Sequence, residues 1–417
     1  MDKIIINGPC KLDGTVKISK AKNAYLPILA GVLLSDKKIV LHEVPNLRDI
    51  NTMLKLLGNL GVGIERNGKS ITFDPSTLSS HEATYELVKT MRASIFTLGP
   101  ILTRMKKAKV SLPGGCAIGT RPIDLHLSNL EKMGARITLE GGYVYAEVDG
   151  RLKGAHLLLA FPSVGATENL MMAAVFAEGQ TVIENAALEP EIDDLANFLN
   201  SMGAKVTGIG TTRLEIEGVD TLNEVEYTAI GDRIEAATYI MAALATNSNV
   251  KVEGFKPAHL EFVIDLLKEM GGNIEVGEDF AQVSPSSLNT ARIDTAPFPG
   301  FPTDVQAQMM ALVTQIKGST IITEHIFENR FMHVPELNRL GSSIELKGNT
   351  AFIEGGHELK GAPVMCTDLR ASAALVIAAL ASSGKTEISR VYHLDRGYEN
   401  LDLKLKSIGA DIERVGE

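Results

Sequence analysis

A chain of 417 residues has room for two or three domains and a large core, and its 45% hydrophobic and 22% charged residues exclude a disordered or fibrous protein. Its net charge of −10 disfavours nucleic-acid and acidic-membrane partners, so any anionic ligand has to be captured by a local cluster of cations. Three distant cysteines without C-x-x-C pairing (Cys10, Cys116, Cys366) argue against a disulfide framework or a zinc site, and with no apolar leader or 18-residue apolar span a cytoplasmic protein is expected.

The first element in chain order is a strand, Lys3-Ile4-Ile5-Ile6. After it, one phrase occurs six times: Leu57-Gly58-Asn59-Leu60-Gly61, Leu130-Glu131-Lys132-Met133-Gly134, Leu199-Asn200-Ser201-Met202-Gly203, Leu267-Lys268-Glu269-Met270-Gly271, Leu337-Asn338-Arg339-Leu340-Gly341 and Leu405-Lys406-Ser407-Ile408-Gly409. The closing glycines are 73, 69, 68, 70 and 68 positions apart. Gly just past an amphipathic helix suits a left-handed C′ position, and the β-branched residue three places on (Ile64, Ile137, Val206, Ile274, Ile344, Ile412) opens a strand. Upstream of each helix lies another alternating strand, from Lys38-Ile39-Val40-Leu41 to Thr386-Glu387-Ile388-Ser389. Before those strands come segments such as Ala371-Ser372-Ala373-Ala374-Leu375-Val376, apolar nearly all round and therefore buried. Each copy reads β-α-β-α-β-β, which predicts an α/β (α+β) protein.

The last copy stops after Asp411-Ile412-Glu413-Arg414, one strand short. The unassigned strand at residues 3–6 is the candidate to complete it. The expected domains are therefore residues 20–230, with three copies, and residues 1–19 plus 231–417, with the other three. An evenly stacked solenoid is the alternative, which the small number of copies disfavours.

Residues that differ among equivalent positions are where function is expected. The starts of the buried helices carry Lys22-Asn23, Arg92, Ser163-Val164-Gly165, Asp232-Arg233, Asp304 and Asp368-Leu369-Arg370, spaced close to the repeat length. The loops entering the amphipathic helices carry Arg48, Cys116 with Arg121, Glu189 with Glu191, Arg330 and Arg396. A cation at a helix N-terminus faces the positive dipole end, so Lys22, Arg92 and Arg370 point to an anionic ligand; pairing with a nearby acid is the competing explanation. Pro113-Gly114-Gly115-Cys116-Ala117-Ile118-Gly119-Thr120-Arg121-Pro122 reads as a loop exposing a thiol beside a guanidinium, which favours thiolate. Cys10 and Cys366 read as core residues. His126, His325 and His333 lack metal-ligand spacing and read as structural hydrogen-bonders. Neither phosphate-loop glycine motif occurs, so nucleotide hydrolysis and dinucleotide redox chemistry are not supported.

These residues resemble the enolpyruvyl transferase family over essentially the whole chain. The matching motifs are Ala21-Lys22-Asn23-Ala24, Thr90-Met91-Arg92-Ala93-Ser94, Leu112-Pro113-Gly114-Gly115-Cys116, Gly119-Thr120-Arg121-Pro122, Ser163-Val164-Gly165-Ala166-Thr167, Phe301-Pro302-Thr303-Asp304, Phe327-Glu328-Asn329-Arg330-Phe331, Asp368-Leu369-Arg370-Ala371-Ser372 and Asp395-Arg396-Gly397-Tyr398. The resemblance implies a two-lobed inside-out α/β barrel, three repeats per lobe, with helices inside and sheets outside. The Cys loop and the Ser-Val-Gly-Ala-Thr segment match the branch that moves the enolpyruvyl group of phosphoenolpyruvate to the 3-hydroxyl of UDP-N-acetylglucosamine, releasing phosphate, at the first committed step of peptidoglycan precursor synthesis. No cofactor or metal is implied, and a monomer is expected. The alternatives are a 5-enolpyruvylshikimate-3-phosphate synthase-like transferase and a non-catalytic sugar-nucleotide-binding repeat protein.

By the same resemblance, Lys22, Arg121 and Arg396 surround the phosphate, and Arg330 and Arg370 lie near the carboxylate. Cys116 is the acid, able to form a covalent adduct, and Asp304 takes the hydroxyl proton. Asn23 holds the sugar hydroxyl. Arg92, Arg121, Pro122, Ile123, Asp124, Leu125, Ser163, Val164 and Ile326 hold the nucleotide-sugar, with Asp368 also at the substrate. Two departures from the family pattern are Lys20, where Gly is frequent, and Phe161, where some members carry Lys.

Overall fold

The computed structural model describes residues 2–88, 91–112, 123–327 and 329–416. It divides into two compact units, one running from Lys20 to Ile230 and one joining the chain up to Ser19 with the chain from Gly231 onward. Among the described residues each unit has its own hydrophobic core and three four-stranded sheets.

Every sheet repeats one topology. In the second copy, Glu82–Ala83 pairs parallel with Lys107–Ser111, which pairs antiparallel with Tyr143–Glu147, which pairs antiparallel with Arg136–Glu140. The parallel step requires a crossover, and the buried helix Leu98–Met105 supplies it. Strands such as Tyr143–Glu147 alternate half-buried and buried residues, so one face packs inward and the other meets solvent. The helices inside have no such alternation: in Leu369–Ala381 every residue from Leu369 to Leu380 is buried. That helix packs against the buried helices Arg233–Ala245 and Gln306–Val313 and against a sheet, which leaves it no solvent face to fill with polar residues, and this is why these segments read as apolar all round.

The six glycines that close the amphipathic helices all adopt positive φ, from 94° at Gly134 to 103° at Gly271. At these positions a side chain would cost conformational energy, so glycine terminates each helix and turns the chain into the next strand.

Three sheets depend on chain from far away in sequence. Lys3–Gly8 lies between Gly384–Ser389 and Ile412–Val415, with Ile4 opposite Ile388 and Ile6 opposite Ile412. Asp13–Lys17 pairs parallel with Asn249–Glu253, and Val225–Tyr227 pairs parallel with Ile39–Leu41. In the unit that includes Ser19, the point where the chain leaves is tied down: Ser19 N donates to Glu235 Oε2 at 2.7 Å, and Asp232 N donates to Ser19 O at 2.9 Å. Glu235 is fully buried and also accepts from Lys404 Nζ at 2.6 Å.

Candidate functional site

In the unit from Gly231 onward, the starts of the three buried helices gather a hydrogen-bonded ionic cluster. Asp232 and Asp368 are helix caps: Asp232 Oδ1 accepts from Ile234 N and Glu235 N, and Asp368 Oδ1 from Arg370 N and Ala371 N. Asp304 is different. It sits in the 3₁₀ turn Thr303–Val305 that leads into the helix Gln306–Val313, and the cap position there is Pro302. Its carboxylate instead joins two guanidiniums, Arg330 Nη2 at 2.7 Å and Arg370 Nη2 at 3.0 Å. Both arginines are buried, at 5% and 2% exposure, so they are not solvated surface charges.

The two guanidiniums are held from behind. Arg330 Nη1 donates to Thr303 Oγ1 at 2.9 Å, and that hydroxyl donates to Glu324 Oε2 at 2.9 Å. The other oxygen of Glu324 accepts from Thr295 Oγ1, Ile326 N and Phe327 N, which fixes the turn carrying Ile326. Arg370 Nη1 donates to Tyr398 OH at 3.2 Å, a hydroxyl shared with Thr238 Oγ1 and Gln308 Nε2. Burial works against the charge of Arg370, yet Asp304, with Tyr398 and Asp232, holds it more firmly protonated than an ordinary arginine. The buried Arg330 Nε–H has no hydrogen-bond partner among the described residues. An unpaired buried donor on a cation is costly, and a bound acceptor such as an anionic ligand would satisfy it.

Arg396 ends the 3₁₀ segment Val391–Arg396 and is half-buried. Its neighbour Asp395 pairs bidentately with Arg414 of the final strand, at 2.8 and 2.6 Å, anchoring that segment to the sheet edge. Gly397 next to it packs closely: a Cβ there would lie 2.7 Å from Leu369 Cδ2, at the start of the helix that carries Arg370, so that side chain would have to shift. His333 is buried, its imidazole pulled down to about 4 by burial, with Nε2 3.2 Å from Met310 Sδ; His325 is exposed and meets Asp294.

In the unit from Lys20 to Ile230, Lys22 is the first residue of the helix Lys22–Gly31, with no side-chain cap before it. Its ammonium lies 3.4 Å from Asp49 Oδ2, in the first turn of the helix Arg48–Asn59, and both side chains are largely buried. Asn23 follows it, half-buried. Ser163 caps the helix Val164–Ala174, accepting from Ala166 N at 3.3 Å. Gly165 lets that helix start approach closely: a Cβ there would stand 3.2 Å from Phe96 Cε1 and 3.5 Å from His126 Cε1. His126 belongs to the helix Asp124–Lys132, which Ile123 precedes; Asp124 is exposed and Leu125 half-buried. Its Nδ1 meets Asn169 Nδ2 at 3.0 Å, and burial pulls the imidazole down to about 4. Nearby in sequence Glu168 is buried, its carboxyl held well above the ordinary range by burial and then by Glu191 and Glu189.

Cys116, Arg121 and Pro122 lie outside the described residues, as does the side chain of Arg92, whose backbone opens the 3₁₀ segment Arg92–Thr97. Cys10 and Cys366 are buried, and burial pushes the Cys366 thiol up to about 12. Lys20 pairs with Glu43 at 3.3 Å, and Phe161 is 51% exposed. Sequence reasoning missed Tyr398, Thr238, Gln308, Thr303 and Glu324 as supports of the two arginines. Tyr398 and Thr303 stood inside quoted motifs without a role, and nothing in the spacing of the others marked them. Among the described residues no group of three or more His, Cys, Asp and Glu could hold a metal ion, and no helix is long and apolar enough to cross a membrane.

The family model described as EPSP synthase (3-phosphoshikimate 1-carboxyvinyltransferase) matches residues 6–405. The chain is 52% identical to the UDP-N-acetylglucosamine 1-carboxyvinyltransferase of Acinetobacter baylyi over 417 residues, and 54% identical to that of Idiomarina loihiensis over 420, covering 100% of both chains in each case. Among solved structures, the enolpyruvyl transferase NikO from Streptomyces tendae is similar with a TM-score of 0.89 at 24% identity, covering 99% of each chain. EPSP synthase from Acinetobacter baumannii is similar with a TM-score of 0.77 at 17% identity, covering 100% of each. At these identities the two structures speak to the fold alone.

Proposed function

This chain belongs to the EPSP synthase (3-phosphoshikimate 1-carboxyvinyltransferase) family, and we propose that within it the chain transfers the enolpyruvyl group of phosphoenolpyruvate to the 3-hydroxyl of UDP-N-acetylglucosamine. The observation that carries this reading is the full-length identity, above one half, to proteins named for that reaction. The product would serve peptidoglycan precursor synthesis.

The chemistry asks for what the helix starts offer. Phosphoenolpyruvate carries about three negative charges, a phosphate near −2 and a carboxylate, so several cations have to meet it. Lys22, Arg121 and Arg396 are assigned to the phosphate; Arg330 and Arg370 are assigned to the carboxylate. The unpaired Nε–H of Arg330 supports that assignment. The enol carbon becomes electrophilic only when its methylene is protonated, a task given to Cys116, while a base takes the proton of the attacking hydroxyl. Asp304 fits the base role better than a capping role, because its carboxylate makes no cap.

Both oxygens of Asp304 are engaged by guanidiniums. A substrate carboxylate competing for those guanidiniums would release an Asp304 oxygen toward the acceptor hydroxyl, so that the base becomes available only when the donor substrate is bound. Asn23 is assigned to the sugar hydroxyl. Arg92, Arg121 to Leu125, Ser163, Val164 and Ile326 are assigned to the nucleotide-sugar, with Asp368 orienting Arg370 from the helix cap.

Phosphate release from phosphoenolpyruvate tests the reading directly. Release dependent on UDP-N-acetylglucosamine supports it. Release dependent on shikimate 3-phosphate would move the chain to the sister reaction, and tight sugar-nucleotide binding without release would make it a binding protein.

A further inference from the structure

The buried helices of the unit from Lys20 to Ile230 also come together at their other ends. There Arg104, Lys106 and Arg151 line a cavity of about 300 Å³. Each spends donors on a carbonyl: Arg104 Nη1 on Leu34 O at 2.9 Å, Lys106 Nζ on Thr103 O at 2.8 Å, and Arg151 Nε and Nη2 on Phe176 O at 2.6 Å and Val219 O at 2.7 Å. Cations do cap helix C-termini, and that role accounts for the bonds to Leu34, Thr103 and Phe176.

Three observations exceed it. First, the positive charge is only partly balanced from within: Asp220 pairs with Arg151 and Asp36 attracts Arg104 without pairing with it, while Lys106 has no ion-pair partner among the described residues. Those two carboxylates also line the cavity, but they are 89% (Asp220) and 59% (Asp36) exposed, where solvent screens them. Second, the cations repel one another. The Lys106 ammonium is held below its ordinary value by burial and then by Arg151 and Arg104, and burial likewise pulls Arg104 down. In a chain of net charge −10 this concentration of cations is against the general trend. Third, Lys106 has φ 64°, in the left-handed region that Gly or Asn takes more easily. A left-handed cap is ordinary at a helix end, but a lysine there in place of Gly or Asn adds a further cation to a concave site that already holds two.

We propose that this cavity binds a phosphate dianion, with Lys106 and the free donors of Arg104 as its direct contacts and Arg151 supplying positive potential. The site lies at the opposite helix ends from Lys22 and Ser163 and is separate from the residues assigned to the substrates. Its phosphate belongs either to inorganic phosphate or to a small phosphate monoester.

Titration of the isotope-labelled full chain with inorganic phosphate, and separately with glycerol phosphate, followed at the backbone amides of Leu34, Lys106 and Arg151, tests this. Saturable shifts at those amides are expected. Saturation with both compounds makes free phosphate a sufficient ligand, and saturation with the monoester alone makes the ligand an organic phosphate. Lys106→Asn removes the charge while suiting the left-handed backbone, so it should fold at least as stably, keep its transferase turnover and bind about tenfold or more weakly; Lys106→Arg should retain binding. Absence of saturable shifts at these amides with either compound, or equal affinity in Lys106→Asn, would overturn the proposal.

Discussion

Replacing Asp304 by Asn separates an ionic role from a chemical one. Asp304 accepts from two nearly fully buried guanidiniums at 2.7 and 3.0 Å, and its own side chain is 26% exposed. Breaking a fully buried ion pair costs about 3–5 kcal/mol. Asn keeps one acceptor oxygen for one arginine, and partial solvent access softens the loss, which leaves about 1–2 kcal/mol. For a unit of this size each kcal/mol moves the melting temperature by about 2–4 °C, so a fall of roughly 2–8 °C is expected by calorimetry. Helix capping contributes nothing to that figure, since Pro302 and not Asp304 stands at the cap. Turnover, measured as phosphate release well below the transition, should fall about 10²-fold or more because an amide does not accept the hydroxyl proton. The KM for phosphoenolpyruvate should hold or decrease, since Arg330 and Arg370 then face the substrate carboxylate against a neutral and weaker internal competitor. Full turnover in a folded Asn variant would refute the base role, and an unchanged melting temperature would refute the energetic account of the ion pairs.

Tyr398→Phe removes one buried hydroxyl that serves Arg370, Thr238 and Gln308, and should lower the urea midpoint by the equivalent of about 1–3 kcal/mol with an unchanged slope; a midpoint equal to wild type would mean the hydroxyl is not a shared anchor. Thiol alkylation near neutral pH should reach Cys116 before Cys366, whose thiol burial pushes up to about 12, and before Cys10, also raised by burial; peptide mapping that finds the first adduct on Cys366 would contradict this. His126, pulled down to about 4 from an ordinary 6.5, is neutral in the folded state. Its unfolded counterpart takes up a proton first, so the contribution is complete above about pH 6.5 and is lost as pH falls toward 4, by up to about 3 kcal/mol. Urea titrations at pH 7.5 and pH 5 should therefore show a smaller loss in His126→Gln than in wild type, and equal losses would assign the acid sensitivity elsewhere.

Local chemistry makes much of this protein legible in its sequence. A glycine just past an amphipathic helix and a segment apolar on every side are recognisable from their immediate neighbours, and all six glycines do adopt positive φ. The helix starts could be aligned from spacing alone, because each repeat places them at the same interval. What each polar residue does there was not legible, because Asp232, Asp304 and Asp368 occupy similar places in sequence. Two are helix caps and the third is a bridge between guanidiniums 26 and 66 positions further along the chain, a distinction set by which loops the fold brings beside each helix. The supports Thr238, Glu324 and Tyr398 were invisible for the same reason, since a hydroxyl or carboxylate acquires a role only from a partner that local sequence does not contain. Strand pairing divides in the same way: the alternation of Asp13–Lys17 marks nothing about Asn249–Glu253, its neighbour more than 230 positions away. Short-range preferences select the elements, whereas burial of their apolar faces and neutralisation of the buried charges, both cooperative properties of the folded chain, decide which elements meet.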